Sequence, residues 1–507
     1  MGNEDVVDRF LRNAEANPEA ICVDAGDTKY SFKTFEVRVR QFAACFAQRP
    51  NSVVLIALPQ IPDAYAAMFG AGLAGGYYSP VNIAAPLAKL KRILELLEPD
   101  FIVANGDLGR QLSNAAPRAI LVNPATLNEI PPLNGSETRH KLAYVIFTSG
   151  STGTPKGVMI SRSALNSHIA WLGEAWGIRP GDRISQYPNI GFDLSVADIY
   201  GSICFGATLF PFLEPADRLM PALMIQRERI TIWNSVPSAI SLMAQSRSLT
   251  ASTLESVRFF NFCGEPLLRQ HLEGIFNANR DAIVQNTYGP TEATVSMTSI
   301  LLRADNYLAA CETSAALGRP IPGMNLSLVG GKDANEGEIV ISGPQLAEGY
   351  WSDEQRTSER FRLADSDGAP ARAYFTGDWA EWRDGNLYFR DRIDFQIKIK
   401  GYRIELDEIS AAIRDCGWPV ACVFKWKDGL GAVVERQGGK DFDQNTLRVA
   451  LADKIEQHAI PHVILEIDSM PRSENDKLDR KAAADWFATH VTSGRASSTH
   501  AGRSSSS

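Results

Sequence analysis

The densest cluster of anion-binding chemistry is one run, Thr148-Ser149-Gly150-Ser151-Thr152-Gly153-Thr154-Pro155-Lys156-Gly157. Its glycines let the backbone come close to a phosphate. Its hydroxyls and free amides donate to phosphate oxygens, and Lys156 adds positive charge. A flexible Ser/Gly loop is the plain alternative. The density of donors, the closing Pro-Lys-Gly and the apolar stretch before it speak against that. It is not a Walker loop, because Gly-Lys-Ser/Thr is absent. A second candidate is Asp193, set among Gly191, Phe192, Leu194 and Val196. A buried unpaired carboxylate is costly, so this acid either meets a partner or sits in a solvated turn.

Both candidates need a scaffold, and the pattern around them supplies one. Residues 52–60 form a short β-branched run, 62–76 a small-residue helix, and Tyr77 opens a further strand. Strand, helix and strand in that order imply a parallel sheet covered on both faces. The apolar runs at Phe101, Ala119, Tyr144 and Thr208 fit the same pattern, with buried helix segments as the alternative. From about Gly337 the pattern changes. Short strands at 337–343, 373–377 and 386–390, with no clear helix pattern between them, suggest a small β-rich subdomain. The last hundred residues have their own mixed pattern, with an amphipathic helix over 405–416 and strands near Pro419 and Gly431. Residues 491–507 are rich in Ser, Gly and Ala and read as a disordered tail.

Composition narrows the function. The chain has 507 residues, 45% hydrophobic and 22% charged, which suits a globular protein of two or three domains. Its net charge of −8 argues against a nonspecific nucleic-acid coat but leaves room for a local basic groove. Seven cysteines without a C-x-x-C pair argue against a zinc site or disulfide framework and for a reducing, cytoplasmic setting. No apolar run is long enough to span a bilayer, so membrane insertion is not expected. The first ten residues lack a signal-peptide core.

The run from Thr148 to Gly157 resembles the phosphate loop of the adenylate-forming superfamily, which includes acyl-CoA synthetases, luciferases and amino-acid adenylation domains. Further matches follow in order. They are Asn286–Glu292 (NTYGPTE), Gly337–Trp351, Tyr374–Asp378 (YFTGD), Arg390–Ile409 and Pro471–Lys481. Phe192–Tyr200 (FDLSVADIY), Phe262–Glu265 (FCGE) and Asn286–Val295 resemble, more narrowly, the D-alanine–carrier-protein ligases and their free-standing relatives. The resemblance covers nearly the whole chain. It implies an α/β fold: a large N-terminal adenylate-forming domain of parallel sheets with helices and a β-rich subdomain (1–393), and a small mobile α+β C-terminal lid (394–490).

The resemblance implies residue roles as well. Thr148, Ser149, Gly150, Ser151, Thr152, Gly153 and Lys156 would wrap the phosphates of ATP. Glu292 would ligate Mg2+, Tyr288 would stack on adenine beside Thr287, and Asp378 would accept from the ribose hydroxyls. Arg392 would support ribose and phosphate, Lys477 would bridge substrate carboxylate and phosphate, and Asp394 would be the hinge. Asp193 would pair with the α-ammonium of an amino acid, with Leu194, Ala197, Asn234, Asn261, Cys263, Gly264, Val295 and Ser296 lining the pocket.

Two departures stand out. Asn234 and Asn261 occupy positions where an alanine pocket would be apolar. A buried Asn wants a partner: a polar substrate, a water or the scaffold. Asp476, where glycine is usual, precedes Lys477. The expected activity is ATP-dependent activation of a small amino acid and its transfer to the phosphopantetheine thiol of a separate carrier protein. An acyl-CoA ligase for a small carboxylic acid and a non-catalytic nucleotide-binding protein are the alternatives.

Overall fold

The computed structural model describes residues 4–129, 133, 139–150, 154–366, 369–393, 396–399, 402–437, 441–472 and 478–491. These form two compact units. The larger takes in Met1–Ile83, Ile93–Thr148 and Lys156–Asp394; the smaller takes in Ala84–Arg92, Ser149–Pro155 and Phe395–Ser507. Of the tail expected over 491–507, Val491 is described and caps the helix Arg480–His490, its amide donating to the Phe487 carbonyl; 492–507 lie outside the described residues.

Three sheets build the larger unit. In the first, Ile21–Ala25, Thr208–Pro211, Arg183–Gln186, Ile232–Ser235, Phe259–Phe262 and Ile283–Tyr288 run parallel as neighbours. Antiparallel strands close both edges, Thr28–Ser31 at one and Thr298–Leu302 followed by Arg319–Pro320 at the other. The central strands are apolar on both faces, as a sheet covered on both sides requires. Trp233, Phe260, Phe262 and Val284 pack into one core cluster. Ile232 and Phe259 pack on the opposite face with Leu172, Trp176 and Ala197 from overlying helices.

The second sheet has a parallel core of Leu142–Thr148, Tyr77–Pro80, Val53–Ile56, Phe101–Val103 and Ile120–Val122. Lys156–Ser161 returns antiparallel beside Leu142–Thr148, and Gly349–Tyr350 joins beyond it. The strand over 156–161 was not expected from the sequence. Its Lys-Gly start looked like the end of a loop. The third sheet is antiparallel, with Ala369–Arg383 at its centre and Glu336–Ser342, Phe361–Ser366 and Asn386–Arg392 paired to it.

One expectation for this region is corrected. A helix, Glu354–Arg360, lies between the strands, capped by the Asp353 carboxylate accepting from the Arg356 amide. It has no buried residue, so no apolar periodicity betrayed it. Its cap was the available signal.

The smaller unit carries the hairpin Gln396–Ile399 with Tyr402–Glu405, the helix Leu406–Asp415, and a sheet of Ala421–Trp426, Gly429–Glu435 and Val463–Ile467. The helix Arg480–His490 packs Ala483 and Phe487 against Phe424 and Val433 of that sheet.

Candidate active site

The phosphate-type run is held at both ends by sheet. Thr148 and Lys156 face each other across the antiparallel pair, so the loop between them leaves and re-enters at fixed points. The Thr148 hydroxyl is buried and has no hydrogen-bond partner among the described residues. Lys156 is buried, with Nζ 5.9 Å from the centre of the Tyr350 ring. Ser149 and Gly150 are described as half-buried and buried; Ser151, Thr152 and Gly153 lie outside the described residues.

A carboxylate clamp lies at the edge of the third sheet. The Tyr288 phenol donates to Asp378 Oδ2 at 2.6 Å, and the Arg392 guanidinium, which also donates to the Thr376 carbonyl at 3.2 Å, pairs with Asp378 Oδ1. Asp378 and Arg392 are cross-strand partners in the sheet register. The Thr376 hydroxyl accepts from the Asp378 amide and donates to the Ile339 carbonyl, which fixes the strand where its register shifts. Burial, followed by the Asp378 carboxylate, pushes the Tyr288 phenol well up, so it stays a donor. A carboxylate has about four lone-pair sites. Asp378 can therefore accept further hydroxyls without giving up Tyr288 or Arg392.

Glu292 sits in the short helical turn Thr291–Ala293, fully buried. The Tyr350 phenol donates to its Oε1 at 2.7 Å and meets the Tyr374 phenol at 3.3 Å. Among the described residues no three His, Cys, Asp or Glu side chains gather as a metal cage. The turn after Glu292 is strained: Thr294 and Val295 have φ of 54° and 71°, a region that β-branched residues avoid. It is held by the Thr294 hydroxyl donating to the Gln345 carbonyl at 2.7 Å. Gln345 in turn meets His168 at 3.1 Å, a buried imidazole that desolvation pushes down to about 4. The same turn crowds Gly289, where a Cβ would lie 2.5 Å from the Ser296 Cα.

The second acidic end is built on the helix Leu194–Ile203, all ten residues of which are buried. Asp193 precedes its first turn, half-buried, where the helix N-terminus favours negative charge. Burial pushes the Tyr144 phenol well up, with Tyr78 and Asp193 adding to the effect. Four residues after Leu194 comes Asp198, with no exposed surface. Asn234 Nδ2 donates to Asp198 Oδ1 at 2.7 Å and to the Leu194 carbonyl at 3.3 Å. Asn261 Nδ2 then donates to Asn234 Oδ1 at 2.8 Å. The two asparagines thus meet each other and a carboxyl on the helix above.

Cys263, two residues beyond Asn261, directs its Sγ to the Val295 carbonyl at 3.7 Å. Thr287 donates to the Phe262 carbonyl, and Ser296 is buried. Gly264 has φ of +97°, which strains any side chain placed there. Ala197 packs into the core with Ile232 and Phe259. Lys477 and Asp394 lie outside the described residues, as does Asp476.

A model of the AMP-binding enzyme family matches residues 10–351. The chain belongs to that family. It is 30% identical over 500 residues to the D-alanine–D-alanyl carrier protein ligase of Staphylococcus haemolyticus, a match covering 95% of this chain and 99% of that protein. It is 32% identical over 499 residues to a linear gramicidin synthase of Brevibacillus parabrevis, covering 94% of this chain but only 6% of that much longer protein. The crystal structure of the Vibrio cholerae adenylation domain AlmE with glycyl-adenosine-5′-phosphate matches with a TM-score of 0.82 at 25% identity, covering 96% of this chain and 98% of that one. The mixed α/β architecture with large parallel sheets is the one these adenylation structures share. Among the described residues no helix is long and apolar enough to cross a membrane.

Sequence reasoning missed several residues of this AMP-binding enzyme. Tyr350 and Thr376 were quoted within motifs without a role, and both hold carboxylates in place. His168 and Gln345, which brace the strained turn, carried no local signal. Asp198 was passed over although a charged residue inside the apolar stretch 194–203 was itself a signal.

Proposed function

We propose that this AMP-binding enzyme activates a small amino acid as an aminoacyl adenylate and transfers it to the phosphopantetheine thiol of a separate carrier protein. The observation that carries the reading is the match along nearly all of a D-alanine–D-alanyl carrier protein ligase, 99% of that protein. A carboxylate oxygen attacks the α-phosphorus of ATP, the bond to pyrophosphate breaks, and the acyl adenylate remains. The thiol then attacks the acyl carbon and AMP leaves.

The residues fit these steps. Thr148 to Lys156 hold the polyphosphate, with the spare Thr148 hydroxyl and the Lys156 charge at the two ends of the loop. Asp378 receives the ribose hydroxyls while Tyr288 and Arg392 keep it oriented. Thr287 and Tyr288 border the adenine. Glu292 is a single buried carboxylate, which suits Mg2+, a hard cation that takes one or two carboxylates and completes its shell with phosphate and water. That ion would supply charge neutralisation on the phosphates. Asp193 pairs with the α-ammonium at the head of its helix, and Leu194, Ala197, Cys263, Gly264, Val295 and Ser296 limit the side chain. Lys477 bridges carboxylate and phosphate, and Asp394 is the hinge for the second step. The reaction belongs in the cytoplasm, where ATP and a carrier protein meet.

Amino-acid-dependent pyrophosphate release with Mg-ATP, across D- and L-amino acids and plain carboxylic acids, tests the reading. One amino acid or a narrow group is expected to respond. A response to plain acids alone moves the protein to the acyl-CoA ligases. Lys477→Ala is expected to abolish release while ATP still binds, and Asp193→Ala to lose amino-acid turnover far more than ATP affinity.

A further inference from the structure

The amide ladder has a direction. The Leu194 carbonyl can only accept, so the Asn234 edge that faces it must be Nδ2, which also donates to Asp198. Asn234 Oδ1 therefore faces the other way and takes the Asn261 Nδ2 proton. That in turn fixes Asn261, whose Oδ1 is buried and has no hydrogen-bond partner among the described residues. Asp198 Oδ2 is likewise buried without a partner among them. The orientation of both amides is thus decided from the helix, and the atom left over at the Asn261 end is an acceptor. Asn234 has every polar atom of its side chain engaged within the protein and is left to transmit, not to read.

We propose that Asp198 and the Leu194 carbonyl set the polarity of the Asn234–Asn261 ladder, so that Asn261 Oδ1 selects an amino acid whose short side chain carries a hydrogen-bond donor, a hydroxyl or an amine. This rests on the amino-acid-activating reading above and deepens it. Asn261 is the specificity-determining residue, and Asp198 is a positioning residue that acts through Asn234. A buried acceptor without a partner is expensive to maintain, and a donor arriving with the substrate relieves it. An alanine or glycine side chain has no such donor. Cys263, two residues on and close to the Val295 carbonyl, keeps the donor-bearing side chain short.

The test begins with the wild-type chain and needs no variant. Amino-acid-dependent ATP–pyrophosphate exchange is measured with serine, 2,3-diaminopropionate and 2-aminobutyrate in both handednesses, with alanine and glycine alongside. Serine and 2-aminobutyrate differ by a hydroxyl in place of a methyl. Serine or diaminopropionate is expected to exceed 2-aminobutyrate in kcat/KM by at least about tenfold, and the better of the two distinguishes hydroxyl from ammonium. A ratio near one, with brisk exchange on alanine or glycine, overturns this inference and leaves the amino-acid ligase standing. Silence with every amino acid overturns the proposed function and this inference with it.

Variants then locate the effect. Asn261→Leu is expected to bring the ratio near one. Asp198→Leu is expected to lower it through KM for the donor substrate with little change in kcat, and Asp198→Asn, which retains an acceptor oxygen, to restore it. An equal loss for donor and non-donor substrates in Asp198→Leu, with no recovery in Asp198→Asn, would mean that Asp198 only supports the fold.

Discussion

Asp378 and Asp198 are both buried carboxyls of the larger unit, yet among the described residues Asp378 is met on both oxygens and Asp198 on one. A guanidinium and a phenol hold Asp378, so its carboxylate is oriented by the protein itself. Asp198 is met by an amide in place of a cation; burial pushes its carboxyl well up and the Asn234 amide only partly opposes this. The nucleotide in the proposed reaction is always the same, so a fully organised receiver for it is worth building. The amino acid is the partner that proposal leaves to be selected, and among the described residues the ladder ends in an acceptor, Asn261 Oδ1, that nothing meets. On the proposed function, the contrast is between a site finished by the protein and a site finished by its substrate.

The sharpest way to break this comparison is Asp378→Ala, which leaves the Arg392 guanidinium and Tyr288 phenol facing each other without an acceptor. ATP affinity is expected to fall about 100-fold, as lost charged hydrogen bonds imply, while unfolding midpoints change less. Isothermal titration with ATP reads this, and unchanged affinity would remove Asp378 from the nucleotide site.

Gly289→Ala comes next. Its Cβ would meet Ser296 backbone at 2.5 Å, and backbone cannot rotate away. A loss of about 2–3 kcal/mol in denaturant unfolding is expected, together with impaired exchange, because Tyr288 and the strained turn are both displaced. A stable, fully active variant would show that the turn has more freedom than its φ angles imply.

Asp198→Asn separates the two carboxyls by pH. Above the ordinary value of 3.8 and below its raised value, folded Asp198 keeps a proton that the unfolded chain has released. Stability therefore falls as pH rises through that window. The asparagine cannot titrate, so the stability of the wild type relative to Asp198→Asn is expected to decline as pH rises from 4 to 7. A flat difference would mean that Asp198 is ionised throughout. The smallest effect belongs to Tyr288→Phe. It removes one donor from Asp378 and leaves Arg392, so ATP affinity is expected to drop only about threefold to tenfold.

The difference between the two centres also explains what could be read in advance. The run at Thr148–Lys156 could be flagged because phosphate binding, the role proposed for it, uses contiguous backbone and short side chains. The strand before it was legible from its apolar run, whereas the strand after it, over 156–161, was not. Asp378 and Arg392 came through motif resemblance and prove to be cross-strand neighbours. The ladder was not legible. Asp198 acquires its meaning from Asn234, 36 residues further on, and Asn234 from Asn261, 27 beyond that. Such contacts come from sheet order, which no local pattern encodes. The asparagines could be flagged as out of place, but not which way their amides turned. The helix Glu354–Arg360 was missed for a different reason: nothing in it is buried, so its periodicity had nothing to report.

The ladder has a further consequence, for how the chain finds its register. Ile232–Ser235, Phe259–Phe262 and Ile283–Tyr288 are apolar on both faces, and neighbouring strands of that kind could slide past one another by a residue with little change in what they bury. Asn234, Asn261 and Gln285 lie in one row across the three strands. The far end is tied by the Trp176 indole donating to Gln285 at 2.9 Å and the near end by Asp198. A slip of one residue would turn Asn261 toward the face where Phe260 and Trp233 pack and strand its amide in hydrocarbon. The polar row therefore acts as an alignment mark, making misregistered forms of this sheet costly long before any substrate is present.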